Sequence, residues 1–240
     1  MKIKNLFFAA IGIVGIMLVG CGDKMGEKEG VSVKPSPDQV AISGFGASEP
    51  TISYDSISQL KEESESIIYG EVKSFQYEIE NGSAYTIETV EVLDSFQGDI
   101  KKGTEIQIYR TGGYVTLEEY INSFGEESKD EVRNMIMFQE YSDDDLKEKY
   151  MKQFSEGEAD TDVGSKAIYF LRYGEVRENV YNRVGRWEGE YVELANGDYK
   201  IPGPESYEEM NRVLTADGDD LEEYESCMIS WDELMQEIND

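Results

Sequence analysis

Histidine is absent from this chain of 240 residues, and cysteine occurs only twice, at Cys21 and Cys227. Without histidine, Ser-His-Asp and Cys-His catalysis are excluded, because both use an imidazole as the general base. Almost every ordinary zinc site is excluded as well, because imidazole is the commonest metal ligand in proteins. Any chemistry of this chain must therefore rely on carboxylates, hydroxyls, amines or aromatic rings.

Basic residues are also scarce: 22 Lys and Arg stand against 51 Asp and Glu, and the formal net charge is −29. Such a surface repels nucleic-acid phosphates and anionic lipids, so we expect no nucleic-acid partner. Cationic partners or divalent cations are the natural counter-charges. Hydrophobic residues make up 39% of the chain and aromatics 11%, which is enough to build a core and excludes a wholly disordered protein.

Long apolar runs are limited to one, which covers Leu6 to Gly20 and follows the basic segment MKIKN. Fifteen residues rise only about 22 Å as a helix, which is short of the ~30 Å hydrocarbon core of a bilayer. A basic segment followed by a short apolar one is the layout of a secretory signal peptide. We therefore assign residues 1–20 to a signal peptide.

The four residues Leu-Val-Gly-Cys at 18–21 resemble the lipobox of bacterial lipoproteins. This resemblance implies that the Cys21 sulfur receives a diacylglycerol and that cleavage leaves Cys21 as the first residue. It also implies a membrane anchor on the outer face of the cytoplasmic membrane. Gly, Ser, Pro and charged residues dominate the following stretch and predict a flexible tether over 21–53. Cys227 then remains as a free, partly buried thiol.

Regular β patterning begins near residue 54. Asn81-Gly82 and Asn196-Gly197 predict two hairpins. Between Ile87 and Val90 the alternation changes phase, which predicts a bulge or bend near residues 88–89. The continuous apolar run from 167 to 171 predicts a strand that is covered on both faces.

Residues 116–162 interrupt the β pattern with helical spacing, and they hold fifteen acidic and five basic residues. We interpret this segment as an acidic helical insertion. Helical spacing continues through Leu146, Tyr150, Met151 and Phe154. Capping-box spacing occurs at Thr116…Glu119, Ser128…Glu131, Ser206…Glu209 and Ser230…Glu233, and the last of these predicts a C-terminal helix.

The order of elements favours a mainly β fold with flanking helices, as a single domain over residues 54–240. We predict an OB-like Greek-key barrel, with a β-sandwich as the alternative. The stretches SIIYGEVKSF, YTIETVEVLDSFQGDIKKGTEIQIYRTGG and VGSKAIYFLRYG resemble a class of secreted and lipid-anchored Gram-positive proteins. A fainter resemblance links them to the netrin-like barrel of tissue metalloproteinase inhibitors. Those domains use disulfides and a zinc-chelating N-terminal cysteine, which this chain lacks, so this resemblance implies a fold and not inhibition.

Two acidic stretches resemble calcium loops, but neither fits. In Asp160-x-Asp162-x-Gly164 a glycine occupies the fifth ligand position, and Leu171 occupies the twelfth. In the stretch 216–226, Leu221 occupies the fifth position. We therefore predict no metal site. An aromatic set is assigned to the core and strand surface rather than to ligand stacking: Tyr169, Tyr181, Trp187 and Tyr191.

These features favour a non-catalytic binding or interaction module at the cell envelope, with no catalytic residue and no cofactor. We expect a cationic envelope protein or peptide to bind at the acidic insertion or on an open barrel face, and the membrane to be contacted through Cys21. Two alternatives stay open. One is a hydrolase that uses carboxylates alone on an extracellular polymer, and the other is a protease-inhibitor-like barrel.

Overall fold

The computed structural model describes residues 33–45, 53–54, 56–155, 157–203 and 207–240. The predicted signal peptide, Cys21 and Ser206 lie outside these residues. Among the described residues, no helix has the length and apolar character needed to cross a bilayer.

The described residues form eleven strands, six α-helices and four short 3-10 helices. The strands are β1 Val40–Phe45, β2 Ser66–Glu80, β3 Ser83–Gln97, β4 Glu105–Thr111, β5 Gly113–Thr116, β6 Tyr150–Phe154, β7 Lys166–Tyr173, β8 Tyr181–Arg183, β9 Glu190–Glu193, β10 Tyr199–Lys200 and β11 Met228–Ile229. The α-helices are α1 Ile57–Glu62, α2 Leu117–Asn122, α3 Glu126–Arg133, α4 Asp143–Glu148, α5 Tyr207–Thr215 and α6 Trp231–Asn239. The 3-10 helices cover Pro37–Gln39, Ile136–Phe138, Arg186–Gly189 and Asp220–Cys227.

The prediction of a mainly β fold with flanking helices is confirmed. Eight strands form one sheet in the order β11-β10-β9-β7-β2-β3-β4-β8, and three form a second sheet in the order β1-β6-β5. Most neighbours in the large sheet are antiparallel, but β4 and β8 are parallel. Strand β8 also pairs with β7, so β7 has three partners along its length.

Both predicted hairpins are confirmed. Strands β2 and β3 pair over almost their whole length and are joined at Asn81 and Gly82, whose φ angles are 49° and 78°. Positive φ at both central residues is the requirement of a type I′ turn, which asparagine and glycine meet at the lowest cost. Asn196-Gly197 joins β9 to β10 in the same antiparallel manner.

The predicted bulge near residues 88–89 is on the other strand of this hairpin. The pairing register shifts between Val72 and Ser74 of β2, opposite Val90 and Thr89 of β3. On β3 itself, residues 84, 86, 88, 90 and 92 are all buried, and Ile87 between two of them is buried as well. The phase change seen in the sequence arises because the inward position 88 carries a charged residue, Glu88.

The acidic insertion is only partly helical. The capping box of Thr116 and Glu119 opens α2 as predicted. Helix α3 begins at Glu126 after Gly125, so the predicted start at Ser128 is wrong. The predicted helical stretch through Phe154 is also wrong beyond Glu148. Residues 150–154 form β6 instead, because that segment hydrogen-bonds to β1 on one side and to β5 on the other.

The predicted tether is wrong for residues 40–45, which form β1. This strand pairs in parallel with β6, and Ala41 and Ile42 pack against the buried side chains around α2. The backbone groups of β6 provide a pairing edge that the Gly- and Ser-rich composition of the segment does not reveal. Ordered structure thus extends further towards the N-terminus than residue 54.

Strand β7 separates two parts of the core. Ala167, Tyr169 and Leu171 face the inside of the large sheet with Val72, while Ile168 and Phe170 face the layer formed with α1 and α6. All five of these β7 residues are buried, which confirms the prediction of a strand covered on both faces. Helix α6 opens with the predicted capping box of Ser230 and Glu233.

Candidate functional site

Five charged side chains are buried together at the inner face of the large sheet. They come from four strands and one connecting segment, and each is at most 6% exposed: Glu88 of β3, Arg110 of β4, Glu158, Arg183 of β8 and Glu190 of β9. We call these residues the charge cluster. Strand alternation places Glu88 beside Val90 and Arg110 beside Ile108 on the inward face. The cluster therefore occupies positions where an ordinary core has apolar side chains.

Arg110 is at the centre of the charge cluster. Its Nη1 donates to Glu88 Oε1 and to Thr161 Oγ1, both at 2.5 Å. Its Nη2 donates to Glu190 Oε2 at 2.8 Å and to the carbonyl oxygen of Ala159 at 2.9 Å. Charge-assisted contacts of this kind are the strongest hydrogen bonds in proteins, so Arg110 joins β3, β9 and the segment before β7.

Arg183 completes the charge cluster from the opposite side. Its Nη2 donates to both carboxylate oxygens of Glu158 at 2.8 Å, and its Nη1 donates to Glu190 Oε2 at 2.5 Å. Glu190 Oε2 thus accepts from both arginines. A buried charge is tolerated only when it is paired and hydrogen-bonded, and the two guanidinium groups meet this condition for all three glutamates.

The charge cluster has one more acid than base. Burial raises the pKa of Glu190 above its ordinary value, and the nearby positive charges of Arg110 and Arg183 only partly oppose this shift. For Arg110 burial alone would lower the pKa, but Glu190, Glu88 and Glu158 outweigh it and raise the pKa well above the usual value. The arginines are therefore charged at any physiological pH, and Glu190 takes up a proton more readily than a glutamate in water does.

Several polar atoms of this region have no hydrogen-bond partner among the described residues. They are buried and belong to three members of the charge cluster and a neighbouring tyrosine: Glu88 Oε2, Arg183 Nε, Glu190 Oε1 and Tyr169 Oη. More than nine in ten buried polar groups in proteins have a partner. The inner face of the sheet thus has hydrogen-bonding capacity that the fold itself leaves unused.

A pocket opens from the surface towards Glu88 and Arg110. Its cavity volume is about 50 Å³, which is room for a few heavy atoms. Phe75, Tyr77 and Tyr114 line its sides, and the Tyr77 and Tyr114 rings meet edge to face with their centroids 5.3 Å apart. Charged side chains also line the pocket, among them Glu88, Arg110 and Lys152, so it combines aromatic rings with a charged floor.

Lysine–aspartate ion pairs lie at this pocket, and two of their members, Lys152 and Asp160, line it. Lys152 Nζ lies 2.5 Å from Asp160 Oδ2, and Lys34 Nζ lies 2.8 Å from Asp160 Oδ1 and 2.7 Å from Asp162 Oδ1. Burial alone would raise the pKa of Asp160, but the hydrogen bonds and charges of Lys152 and Lys34 outweigh it and lower this pKa to about 2. The two aspartates of the calcium-like motif are thus paired with lysines. Within the described part of the chain, no group of three or more Asp, Glu, His or Cys is arranged to hold a metal ion.

The acidic insertion has a different character at the surface. Asp143 and Asp144 are exposed, and the only ion pair described for Asp143 reaches Arg133 at 3.6 Å. Asp145 accepts from the hydroxyl and amide of Ser142 at the start of α4, and these hydrogen bonds lower its pKa. Nearby, Ile136 is 86% exposed between two partly exposed methionines. The exposed residues of this segment thus include both acidic and apolar side chains.

The remaining predicted residues lie apart from the pocket. Tyr169 and Tyr191 are buried, and Trp187 is half-buried. The rings of Tyr181 and Tyr173 meet edge to face with their centroids 4.9 Å apart. These environments agree with the prediction that the four residues belong to the core and the strand surface. Cys227 is a free cysteine of intermediate exposure.

Sequence reasoning missed the whole charge cluster. A signal existed in the sequence, because Glu88 and Arg110 occupy inward positions next to Val90 and Ile108 in strands with an otherwise regular alternation. Charged residues are almost never fully buried unless they are paired. The partners of Arg110 in the charge cluster lie between 22 and 80 residues away from it along the chain. Only the folded structure brings them together.

No protein-family model matches this chain, and the curated proteins include no significantly similar sequence. Inferences about function therefore depend on the pocket, the charge cluster, the acidic insertion and the N-terminal sequence.

Proposed function

We propose that this chain is a lipid-anchored extracytoplasmic protein that acts as a non-catalytic binding module at the cell envelope. The Leu-Val-Gly-Cys pattern after a short apolar run supports attachment at Cys21. A diacyl anchor gives durable membrane attachment without a spanning helix. The proposed location is the outer face of the bacterial cytoplasmic membrane.

The proposal includes an OB-like barrel as the binding scaffold. Strand pairing leads from β2 through β3, β4, β8 and β7 back to β2. A five-stranded circuit with one parallel pair supports this assignment. Folds of this type present ligands with one sheet face and the adjoining loops.

The pocket above Glu88 and Arg110 is the observation that favours binding. Ion pairs hold its charged floor and aromatic rings form its sides, so the site is arranged before a ligand arrives. Preorganisation of this kind reduces the entropy lost on binding. The floor is also part of the core, which keeps the position of its polar atoms well defined.

The buried carboxylates support binding better than hydrolysis. A glycosidase needs one carboxylic acid that donates a proton and a second carboxylate that acts as base or nucleophile. Glu88, Glu158 and Asp160 line the pocket, but each is ion-paired with an arginine or a lysine. The cavity volume of about 50 Å³ also leaves no room for a sugar ring between two of these carboxylates.

The acidic insertion is the proposed docking surface for a cationic envelope protein or peptide. Asp143, Asp144 and the exposed Ile136 provide negative charge and apolar contact on the same segment. Charge complementarity speeds the encounter of partners, and apolar contact slows their dissociation.

Crosslinking in intact cells tests this proposal. The full chain and its Cys21→Ala variant are expressed in a Gram-positive host, the membranes are separated, and crosslinked partners are identified. We expect the wild type in the membrane fraction with a reproducible envelope partner, and the variant with neither. Equal membrane association of both chains would reject the anchor, and the absence of any partner would reject a protein-binding role.

A further inference from the structure

The pocket contains a hydrogen-bond acceptor that the folded chain leaves unused. Glu88 lines the pocket, its side chain is 0% exposed, and its Oε2 has no hydrogen-bond partner among the described residues. A buried carboxylate oxygen without a partner is unfavourable, because it has lost its contacts with water. A ligand that brings a donor to this oxygen would restore the missing hydrogen bond.

The charges around the pocket favour a cation over an anion. Both Nη atoms of Arg110 already donate to protein acceptors, so Arg110 offers little to an incoming anion. The ion-paired network that includes the lining residues has one more acid than base. It has five acids and four bases: Glu88, Glu158, Glu190, Asp160 and Asp162 against Arg110, Arg183, Lys152 and Lys34. One positive charge on the ligand would balance this excess.

The sides of the pocket suit an ammonium group. Phe75, Tyr77 and Tyr114 present aromatic rings, and ring faces attract cations. Lys152 already shows this contact, because its Nζ lies 5.2 Å from the centroid of the Tyr114 ring. The cavity volume of about 50 Å³ limits the ligand to a few heavy atoms, so the group must be small or lie at the end of a narrow chain.

We propose that this pocket binds a primary ammonium group on a short aliphatic chain, with Glu88 Oε2 accepting one of its N–H bonds. The inference rests on the proposed binding function and specifies the ligand class of that site. A free small amine and the end of a lysine side chain share this chemistry. The experiment below distinguishes the two sources.

Ligand titration tests the proposal without any change in the protein. The full-length chain in neutral detergent is titrated with ethylammonium, tetramethylammonium and Nα-acetyl-lysine amide by calorimetry. Tetramethylammonium has the charge but no N–H, so we expect its affinity to be roughly 10- to 100-fold lower than that of ethylammonium. Tighter binding of the lysine derivative than of ethylammonium would show that the ammonium group comes from a peptide side chain. Tighter binding of ethylammonium would show that it comes from a free amine. Equal affinity for ethylammonium and tetramethylammonium would overturn the proposal, because the overall negative charge would then explain the binding.

Matched variants locate the site. Glu88→Gln is expected to weaken ethylammonium binding by at least about tenfold, while Glu237→Gln on α6 makes the same charge change at an exposed position and should leave the affinity unchanged. If thermal unfolding shows that Glu88→Gln does not fold, ethylammonium binding is measured with Ala159→Leu instead, because Ala159 lines the pocket. It narrows the pocket and keeps every charge, so loss of binding supports the site and unchanged binding overturns it.

The outcomes also separate this inference from the proposed function. If ethylammonium does not bind but intact cells still yield an envelope partner that depends on Cys21, the ligand class is wrong and the binding module stands. If ethylammonium binds at Glu88 and cells yield no partner, the pocket is supported and the protein partner is rejected.

Discussion

Two regions of this protein are rich in charge, and they differ in almost every other respect. In the charge cluster, three glutamates and two arginines are buried and connected by hydrogen bonds of 2.5–2.8 Å. In the acidic insertion, Asp143 and Asp144 are exposed and their charges are screened by water. Carboxylate groups thus hold the fold together in the charge cluster, whereas in the acidic insertion they are surface charges. Burial decides which, because the interaction between charges grows as the local dielectric constant falls.

The largest expected effect comes from breaking the charge cluster at its centre. Arg110→Met removes the counter-charge of Glu88 and one of the two counter-charges of Glu190. We expect a loss of about 3–5 kcal/mol in the free energy of unfolding, because a buried carboxylate is left uncompensated. Urea unfolding measures it. The control is Arg212→Met, which breaks an exposed pair with Glu209 and should cost less than about 1 kcal/mol. Equal losses in the two variants would show that burial adds nothing to the pairing.

The second prediction concerns the dependence of stability on pH. Because burial raises the pKa of Glu190 in the folded chain, the folded state keeps a proton that the unfolded state has already released. Stability should therefore fall as the pH rises from the ordinary glutamate pKa of 4.5 through the raised value. Glu190→Gln cannot release this proton, so its unfolding free energy should decline less over the same range. Parallel curves for the two proteins, measured by urea unfolding at each pH, would contradict a raised pKa.

In the acidic insertion, we expect the hydrogen bonds that Asp145 accepts from Ser142 to matter more for stability than the charge of Asp145. Asp145 forms the capping box of α4 with Ser142, so we expect Asp145→Ala to lower the free energy of unfolding, by less than Arg110→Met does. Thermal and urea unfolding measure this loss. Asp145→Asn is the comparison, because it keeps a side-chain acceptor and should recover most of the stability. A neutral alanine variant would mean that the cap contributes nothing to the fold.

The smallest effect on stability is expected at the exposed aspartates beside it. Asp143→Lys combined with Asp144→Lys should change the free energy of unfolding by no more than about 0.5 kcal/mol. The same variant should lose capture of a cationic partner in the crosslinking experiment, because it reverses the charge of the proposed docking surface. If partner capture and stability fall together, the segment has a structural role instead.

Local sequence signals predicted the elements whose cause is local. The Asn81-Gly82 turn sets the first hairpin through the positive φ angles that both residues tolerate, and Gly197 has a positive φ in the second turn. The capping boxes at Thr116 and Ser230 set two helix starts through hydrogen bonds across three residues. The apolar run 167–171 revealed a strand that is buried on both faces. In each case the deciding interaction lies within a few residues or in the apolar character of the strand itself.

Three failures share one physical reason, which is that the deciding contact is distant in the sequence. Residues 150–154 have helical spacing but form β6, because β1 and β5 offer backbone partners on both sides. Residues 40–45 have the composition of a linker but become ordered on β6. Glu88 interrupts the apolar pattern of β3, although it lies on the inward face, where its carboxylate pairs with Arg110 of β4.

The sequence by itself determined the mainly β character, the hairpins, the helix caps, the acidity and the absence of imidazole chemistry, because composition and short-range geometry govern these properties. Tertiary structure alone decided the pairing of Glu88 with Arg110, the pocket above them and the shifted pKa of Glu190. Those properties depend on burial and on side chains that come from separate strands. A charged residue in a strand has no fixed role until the fold determines whether water or another charge is its neighbour.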